Sequence, residues 1–290
     1  MPVISTEELV PPAGLSAMPS VWRAPTRRWL VLSMGAALLA VVGNVGALLS
    51  VERTYGAAYP SLTNQAIAQD LVSLAIVVPL LVWTALRAEL GSLRGYLVWL
   101  GLLLFTAYNY VIYTLSIHFG PFFLVWVGVF GLTVYALIGG FAALDSGAVR
   151  ARVQRSSMRV VGWFMIIVAA LFAMVWLAQI VPAQLAGTVP AAVTDTGTPT
   201  NPVHVLDLAV FLPGLAIAGI LLLRRHALGY VLGPPLLVLL ALTAAPIVAT
   251  PLVEQAGGDT ANWWVAAPFV VFAAAAGCAA LRLLRAIPPR

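Results

Sequence analysis

The chain has 290 residues, 62% hydrophobic and only 9% charged, with a net charge of +5 and a mean hydropathy of +1.00. A water-soluble domain carries about 25% charged residues, so this composition excludes a soluble globular enzyme, a disordered chain and a disulfide scaffold. It specifies a polytopic membrane protein. All fifteen basic residues are arginine, which removes lysine Schiff-base chemistry and a Walker A phosphate loop. The single cysteine, Cys278, lies in an apolar run and has no partner for an intrachain disulfide.

In chain order, residues 1–22 are rich in Pro, Ser and Glu and are expected to form a mobile cytoplasmic tail. Residues 23–290 are expected to form one transmembrane domain. A membrane helix needs about 20 mostly apolar residues. Eight runs qualify, at 29–50, 69–86, 95–117, 121–143, 160–181, 203–223, 228–249 and 263–281. The expected fold is therefore an all-α bundle of eight transmembrane helices. Thr26-Arg27-Arg28-Trp29-Leu30 resembles a twin-arginine export motif. The apolar run behind it is long for a signal segment, however, and no small-residue cleavage site follows, so the first span is expected to be retained.

Arginines set the orientation. Arg23, Arg27 and Arg28 precede span 1, while Arg87 and Arg94 separate spans 2 and 3. Arg150, Arg152, Arg155 and Arg159 separate spans 4 and 5, Arg224 and Arg225 separate spans 6 and 7, and Arg282, Arg285 and Arg290 follow span 8. Fourteen of the fifteen thus fall on one face, and only Arg53 lies on the other. The positive-inside bias makes that face cytoplasmic, with both termini on it. The net positive charge is then a matter of topology and gives no nucleic-acid footprint. Of the outer connections, 51–68 and 183–202 are long. The second is rich in Pro, Gly and Thr and reads equally as a lid or as a passive connector.

Pro79 precedes Gly95-Tyr96 by sixteen residues, and Pro213 precedes Gly229-Tyr230 by the same interval. At this offset of 134, Trp29 matches Trp163, Asp70 matches His204 and Ser73 matches Asp207. The pattern fits two four-helix parallel repeats, 23–150 and 151–290, related by an axis along the membrane normal. Such a pair is expected to place spans 2 and 6 across from each other at that axis.

Polar residues inside hydrocarbon are costly and mark sites or interhelical partners. At about 1.5 Å per residue, Asn44 lies about 22 Å from the arginine end of span 1, and Asn109 and Tyr113 lie about 21 and 27 Å along span 3. Gln179 comes late in span 5. Spans 2 and 6 run the other way and carry their polar residues early: Gln65, Gln69, Asp70 and Ser73, then Asn201, His204 and Asp207. The amides, acids and imidazole therefore gather in the outer third. The inner halves hold little beyond Thr84, Thr133 and Tyr135. This imbalance predicts one outward-facing polar pocket above an apolar plug, and it argues against a polar wire through the full depth. The candidate ligand-binding set is Asn44, Gln69, Asp70, Asn109, Tyr113, Gln179, Asn201, His204 and Asp207. Tyr108 and Tyr110, beside Asn109, read either as an interfacial belt or as cavity lining.

Three functions use these residues. The first is binding or transport of a small polar or lipid-like ligand, with amides and tyrosines giving neutral hydrogen bonds. The second is a metal-dependent outer-leaflet hydrolase, with His118, His204, Asp207 and Asp70 holding a divalent metal. The third is a non-catalytic assembly or accessory protein in which the polar groups only tie helices together. No GxSxG, GxGxxG or HExxH motif is present.

The segments Gln69-Asp70-Leu71-Val72, Tyr108-Asn109-Tyr110 and Asn201-Pro202-Val203-His204-Val205-Leu206-Asp207-Leu208 resemble a group of uncharacterised bacterial polytopic membrane proteins over most of their length. No activity is assigned to that group. The resemblance implies a bacterial membrane location and nothing about chemistry.

Overall fold

The structure, a computed structural model, describes residues 20–153, 158–258, 260–261 and 263–288. Eight helices are long and apolar enough to cross a membrane, and the described residues contain no β-strand beyond an isolated bridge between Trp22 and Leu144. The fold is all-α and multi-span, and its lipid-facing exterior is the apolar surface the composition requires. The spans are α1 (Arg27–Leu49), α2 (Pro60–Glu89), α3 (Leu93–Ser116), α4 (Phe123–Ala142), α5 (Arg159–Ala186), α6 (Pro202–Leu223), α7 (Ala227–Ala256) and α8 (Trp263–Arg285). Helix α2 begins nine residues before its expected start, because Pro60 opens it in the first turn, where a missing N–H costs nothing. Residues 1–19 of the expected mobile tail lie outside the described residues. Its end is packed: Val21 is buried, and Trp22 meets the Tyr96 ring edge-on at 4.7 Å.

Helices α2 and α6 share an irregularity. Each contains a π-turn, Ser73–Val77 in α2 and Asp207–Phe211 in α6, ending two residues before a proline, Pro79 and Pro213. A proline inside a helix offers no N–H and crowds the carbonyl four residues back. That carbonyl belongs to Ala75 in one case and Ala209 in the other, and in both the π-turn widens the helix there. The same 134-residue offset continues beyond these turns. The helices end at Glu89 and Leu223, followed by left-handed residues Gly91 (φ 80°) and Arg225 (φ 54°). The next helices are capped by Ser92, whose Oγ accepts from Gly95 N at 3.2 Å, and by His226, whose Nδ1 accepts from Leu228 N at 3.3 Å.

Helix α3 is the most buried span and packs against α2 and α4, against α7, and against the first turns of α6. Its approach to α7 is close at Gly101, where a Cβ would stand 2.5 Å from Val238 Cβ and 2.9 Å from the Pro235 carbonyl oxygen. Gly101 and Pro235 are themselves 134 residues apart. The centre of the bundle is therefore the α3–α7 crossing. Spans 2 and 6 do not meet there: the first part of α2, Pro60–Val72, leans on α7 and the start of α6 on α3. Close approach is governed by small side chains, and the glycine lies in α3.

The half of the bundle near the arginines is also less apolar in its contacts than expected. Trp99 Nε1 donates to Ser33 Oγ at 3.0 Å, and Tyr96 OH donates to the Gly140 carbonyl at 2.9 Å. Arg94 Nε donates to the Ile287 carbonyl at 2.7 Å, tying α3 to the end of α8. At the opposite end, residues 183–202 are fastened to the start of α2. Ser61 Oγ donates to the Asp195 carbonyl at 2.5 Å, and the Tyr59 ring lies against Gly197 with no room for a Cβ.

Gly101→Leu should lower stability by about 1–3 kcal/mol through overpacking, whereas Gly131→Ala, with nothing within 4 Å of the added methyl, should change it by less than about 0.5 kcal/mol; thermal unfolding in detergent measures both. A pH effect is expected at Asp145, which caps Ser146–Arg152. The Ala148 backbone N–H, and after it the Arg23 side chain, hold this carboxyl below the usual range. Its contribution is therefore complete above the unfolded value of about 3.9 and is lost as pH falls through the lower folded value. Asp145→Asn should remove that part of the acid-induced drop in melting temperature below about pH 4.

Candidate functional site

Two buried carboxylates flank α3, and each is held by one of its tyrosines. Asp70 in α2 is 1% exposed. Its Oδ1 accepts from Tyr113 OH at 2.9 Å and its Oδ2 from Tyr55 OH at 2.7 Å. Tyr55 ends the short helix Val51–Tyr55, which continues from α1 and turns the ring inward. Asp207 opens the π-turn of α6 and is 7% exposed. Its Oδ1 accepts from Tyr108 OH at 3.0 Å and its Oδ2 from Trp176 Nε1 at 2.8 Å. Neither acid meets an arginine: among the described residues the ion pairs are Arg23–Asp145 and Arg27–Glu89, both at the arginine-rich end. Neutral donors are thus the means by which these acids are accommodated.

Around Asp70 the aromatic groups interlock. The Tyr113 ring stands edge-on to Trp126 with centroids 5.3 Å apart, and Tyr110 stacks on Tyr113 at 5.5 Å. Tyr110 OH donates to Asn44 Oδ1 at 2.8 Å, and Gln69 Nε2 donates to Ser73 Oγ at 2.9 Å. Three buried polar atoms of this group have no hydrogen-bond partner: Asn44 Nδ2, Gln69 Oε1 and Trp126 Nε1. Unsatisfied buried polar groups are uncommon in native proteins and call for an explanation. Beside Gln69, between α1, α2 and α3, lies a cavity of about 10 Å³, on the order of one water. Gln69, Ser73, Thr106, Asn109 and Tyr110 supply its polar lining, and Ala36, Ala37 and Ala40 line its α1 side.

The expected site residues divide accordingly. Asn44, Gln69, Asp70 and Tyr113 come together with Asn109 at the α1–α2–α3 interface, where Asn109 Nδ2 donates to the Phe105 carbonyl at 2.8 Å. His204 and Asp207 form the second group, across α3. The His204 ring packs on Trp176 with centroids 4.7 Å apart, and its buried Nε2 has no partner. Asn201 is a helix cap, its Oδ1 accepting from Val203 N at 2.9 Å and from His204 N at 3.3 Å. Gln179 is exposed on α5 and joins neither group.

One common pocket is therefore replaced by two clusters, because α3 stands between α2 and α6. The cavity takes in Gln69 and Asn109 but not Asp70, His204 or Asp207. The metal set is not assembled either. His118 is exposed in the turn after α3, and among the described residues no group of three or more His, Cys, Asp or Glu is placed to hold a metal ion. With its ligands apart, the metal-hydrolase reading loses its centre.

Sequence reasoning missed Tyr55, Trp126 and Trp176. Tyr55 reads as part of an outer loop, and nothing in its neighbourhood signals that it turns inward. The two tryptophans read as apolar residues of their spans, since an indole's single N–H leaves no pattern in a hydrophobic run.

No protein-family model, curated protein or solved structure matches the chain, so the functional reading rests on this geometry.

Tyr108→Phe and Trp176→Phe should each destabilise the protein by about 1–3 kcal/mol, since each strips a donor from buried Asp207. A double-mutant cycle between them should show a coupling of at least about 0.5 kcal/mol. Gln179→Leu should be neutral in the same unfolding measurement.

Proposed function

We propose that this is a membrane protein that binds and transports a small polar solute by relative movement of two four-helix halves, 23–150 and 151–290. The observation that carries this reading is the α2–α3 unit and its α6–α7 counterpart. They share, at one offset of 134 residues, the π-turn, the proline, the helix end, the left-handed turn and the capped start of the next helix. A twofold axis passing between two helices must bring equivalent residues together, and Gly101 and Pro235 meet at the α3–α7 crossing. Parallel repeats about an axis along the membrane normal are a recurrent architecture of solute transporters. Direct side-chain hydrogen bonds between the halves sit at the two ends. Arg94 binds the Ile287 carbonyl at the arginine end, and Tyr108–Asp207 and Ser61–Asp195 lie toward the other. Such an arrangement lets one end open while the other stays closed. The arginine distribution puts the arginine-rich face in the cytoplasm, and the sequence resemblance favours a bacterial cell membrane.

A second reading has its own support. Asp70 and Asp207 are satisfied by neighbouring helices and Asn201 caps its own, as expected of a rigid accessory protein whose polar groups only fix its packing.

Distances between spin labels separate the two. With Cys278 replaced by serine, labels are placed at Leu71 and Val205, and in a second variant at Leu86 and Ile220. All four positions are lipid-exposed, and each pair is related by the same offset. Transport predicts two distance populations at each end, shifting in opposite directions, with Tyr108→Phe at least doubling the longer population at 71/205. A single fixed distance at both ends across a solute panel supports the accessory reading and overturns transport.

A further inference from the structure

We propose that the cavity between α1, α2 and α3 is the ligand site of the first half, that it takes an uncharged hydrogen-bonding solute of the amide or alcohol class, and that Gln69 and Ser73 are its contact residues. This rests on the solute-binding part of the reading above, not on movement of the halves, and adds the chemistry of the ligand and the number of sites.

Most of the lining is apolar, and its polar side chains, Gln69, Ser73, Thr106, Asn109 and Tyr110, include no charged one. Gln69 is 6% exposed and borders the cavity, and its Oε1 has no partner in the protein. This is an acceptor waiting for a donor. Ser73 Oγ receives the Gln69 amide and retains its own hydrogen to give. Asn109 has committed an N–H to the Phe105 carbonyl and retains its amide oxygen. One small space therefore offers two acceptors and a donor, which matches a carboxamide or a hydroxyl. An ion would have to be desolvated here with no opposite charge to meet it. The nearest acid, Asp70, does not line the cavity, and its two oxygens are engaged by Tyr55 and Tyr113.

The residues at the equivalent positions of the other half differ. At the equivalent positions the wall residues Ala37 and Ala40 become Leu171 and Met174, Gln69 becomes Val203, and Thr106 becomes Leu240. Ser73 becomes Asp207, whose oxygens are occupied by Tyr108 and Trp176. One chain thus carries one ligand. The cavity now holds about one water-sized group. Its α1 wall presents only alanine methyls at positions 36, 37 and 40, so withdrawal of α1 from the α2 π-turn makes room for a whole solute.

The test is saturation-transfer NMR on the full chain in nanodiscs, observing the methyl signals of two near-isosteric pairs: acetamide with acetate, and methylurea with methylguanidinium. The expected result is at least threefold more transfer to acetamide and methylurea than to their charged counterparts. It should fall to background in Gln69→Leu. In Gln69→Glu the preference should pass to methylguanidinium, a gain that misfolding does not produce. Equal transfer to the charged members overturns the uncharged class while leaving solute binding in place. Transfer that persists in Gln69→Leu, or is absent from all four compounds in the wild type, overturns the site itself. The label distances above then decide independently whether the halves move.

Discussion

A carboxylate placed within a bilayer must receive its hydrogen bonds from the protein around it, because no water is there to supply them. Two acids meet that condition here, and α3 serves both. Tyr113 turns to Asp70 on one side and Tyr108 to Asp207 on the other. Five residues separate the two tyrosines, rather more than one turn of helix, so they leave α3 in different directions. This is why α3 is the most buried span and why α2 and α6 lie on separate flanks of it. It is also why the polar residues form two clusters. A helix that must donate hydrogen bonds on two faces occupies the space in which a shared pocket would have formed.

The paired π-turns have an equally local cause. Pro79 and Pro213 each leave a carbonyl without its usual donor, and the helix widens rather than kinking away from its neighbours. What the two turns then carry differs. In α2 the turn begins with Ser73 and borders the cavity, beside an amide oxygen with nothing to bind. In α6 it begins with Asp207 and is tied by a phenol and an indole. One backbone device thus supports an open hydrogen-bonding surface in one half and a fastened joint in the other. π-turns recur at functional positions, and the first of these borders the cavity.

The architecture was readable from the sequence because hydrophobic length and arginine placement act on whole spans, and eight runs alternating with basic loops admit few alternatives. Asn44, Gln69, Asp70, Asn109 and Tyr113 could be grouped by depth, since rise per residue converts position into height. Depth says nothing about direction around a helix axis, so Gln179 stood at the right level and faces outward, while His118 is exposed in a turn. Rotation is fixed by packing, and packing here turns on features too small to stand out: the absence of a side chain at Gly101, and single N–H or O–H groups on Trp176 and Tyr55. The 134-residue offset was visible through Pro79/Pro213 and Gly95/Gly229, but the contact between α3 and α7 was not, because the polar spans drew attention from the glycine that lets those helices touch.

The two halves also close differently, and this bears on which of them has room to change. In the first, α1 packs along α4 with large rings set on glycines. A Cβ on Gly139 would meet the Trp29 ring at 2.1 Å, and one on Gly46 would meet Phe122 at 2.3 Å. The corresponding helices of the second half, α5 and α8, touch little and meet through Phe172 and Phe272, centroids 5.1 Å apart. Helix α5 instead lies on α6, where Gly162 and Gly219 bring the backbones together. The first half is thus a four-helix unit closed by α1 and α4 around its polar cluster. In the second, α5–α6 and α7–α8 are joined through α6 and α7 rather than closed by α5 and α8. Ring-on-glycine contacts fix the relation of α1 to α4, so the α1 face toward the α2 π-turn, lined by alanine methyls, is where the first half can yield without breaking its closure.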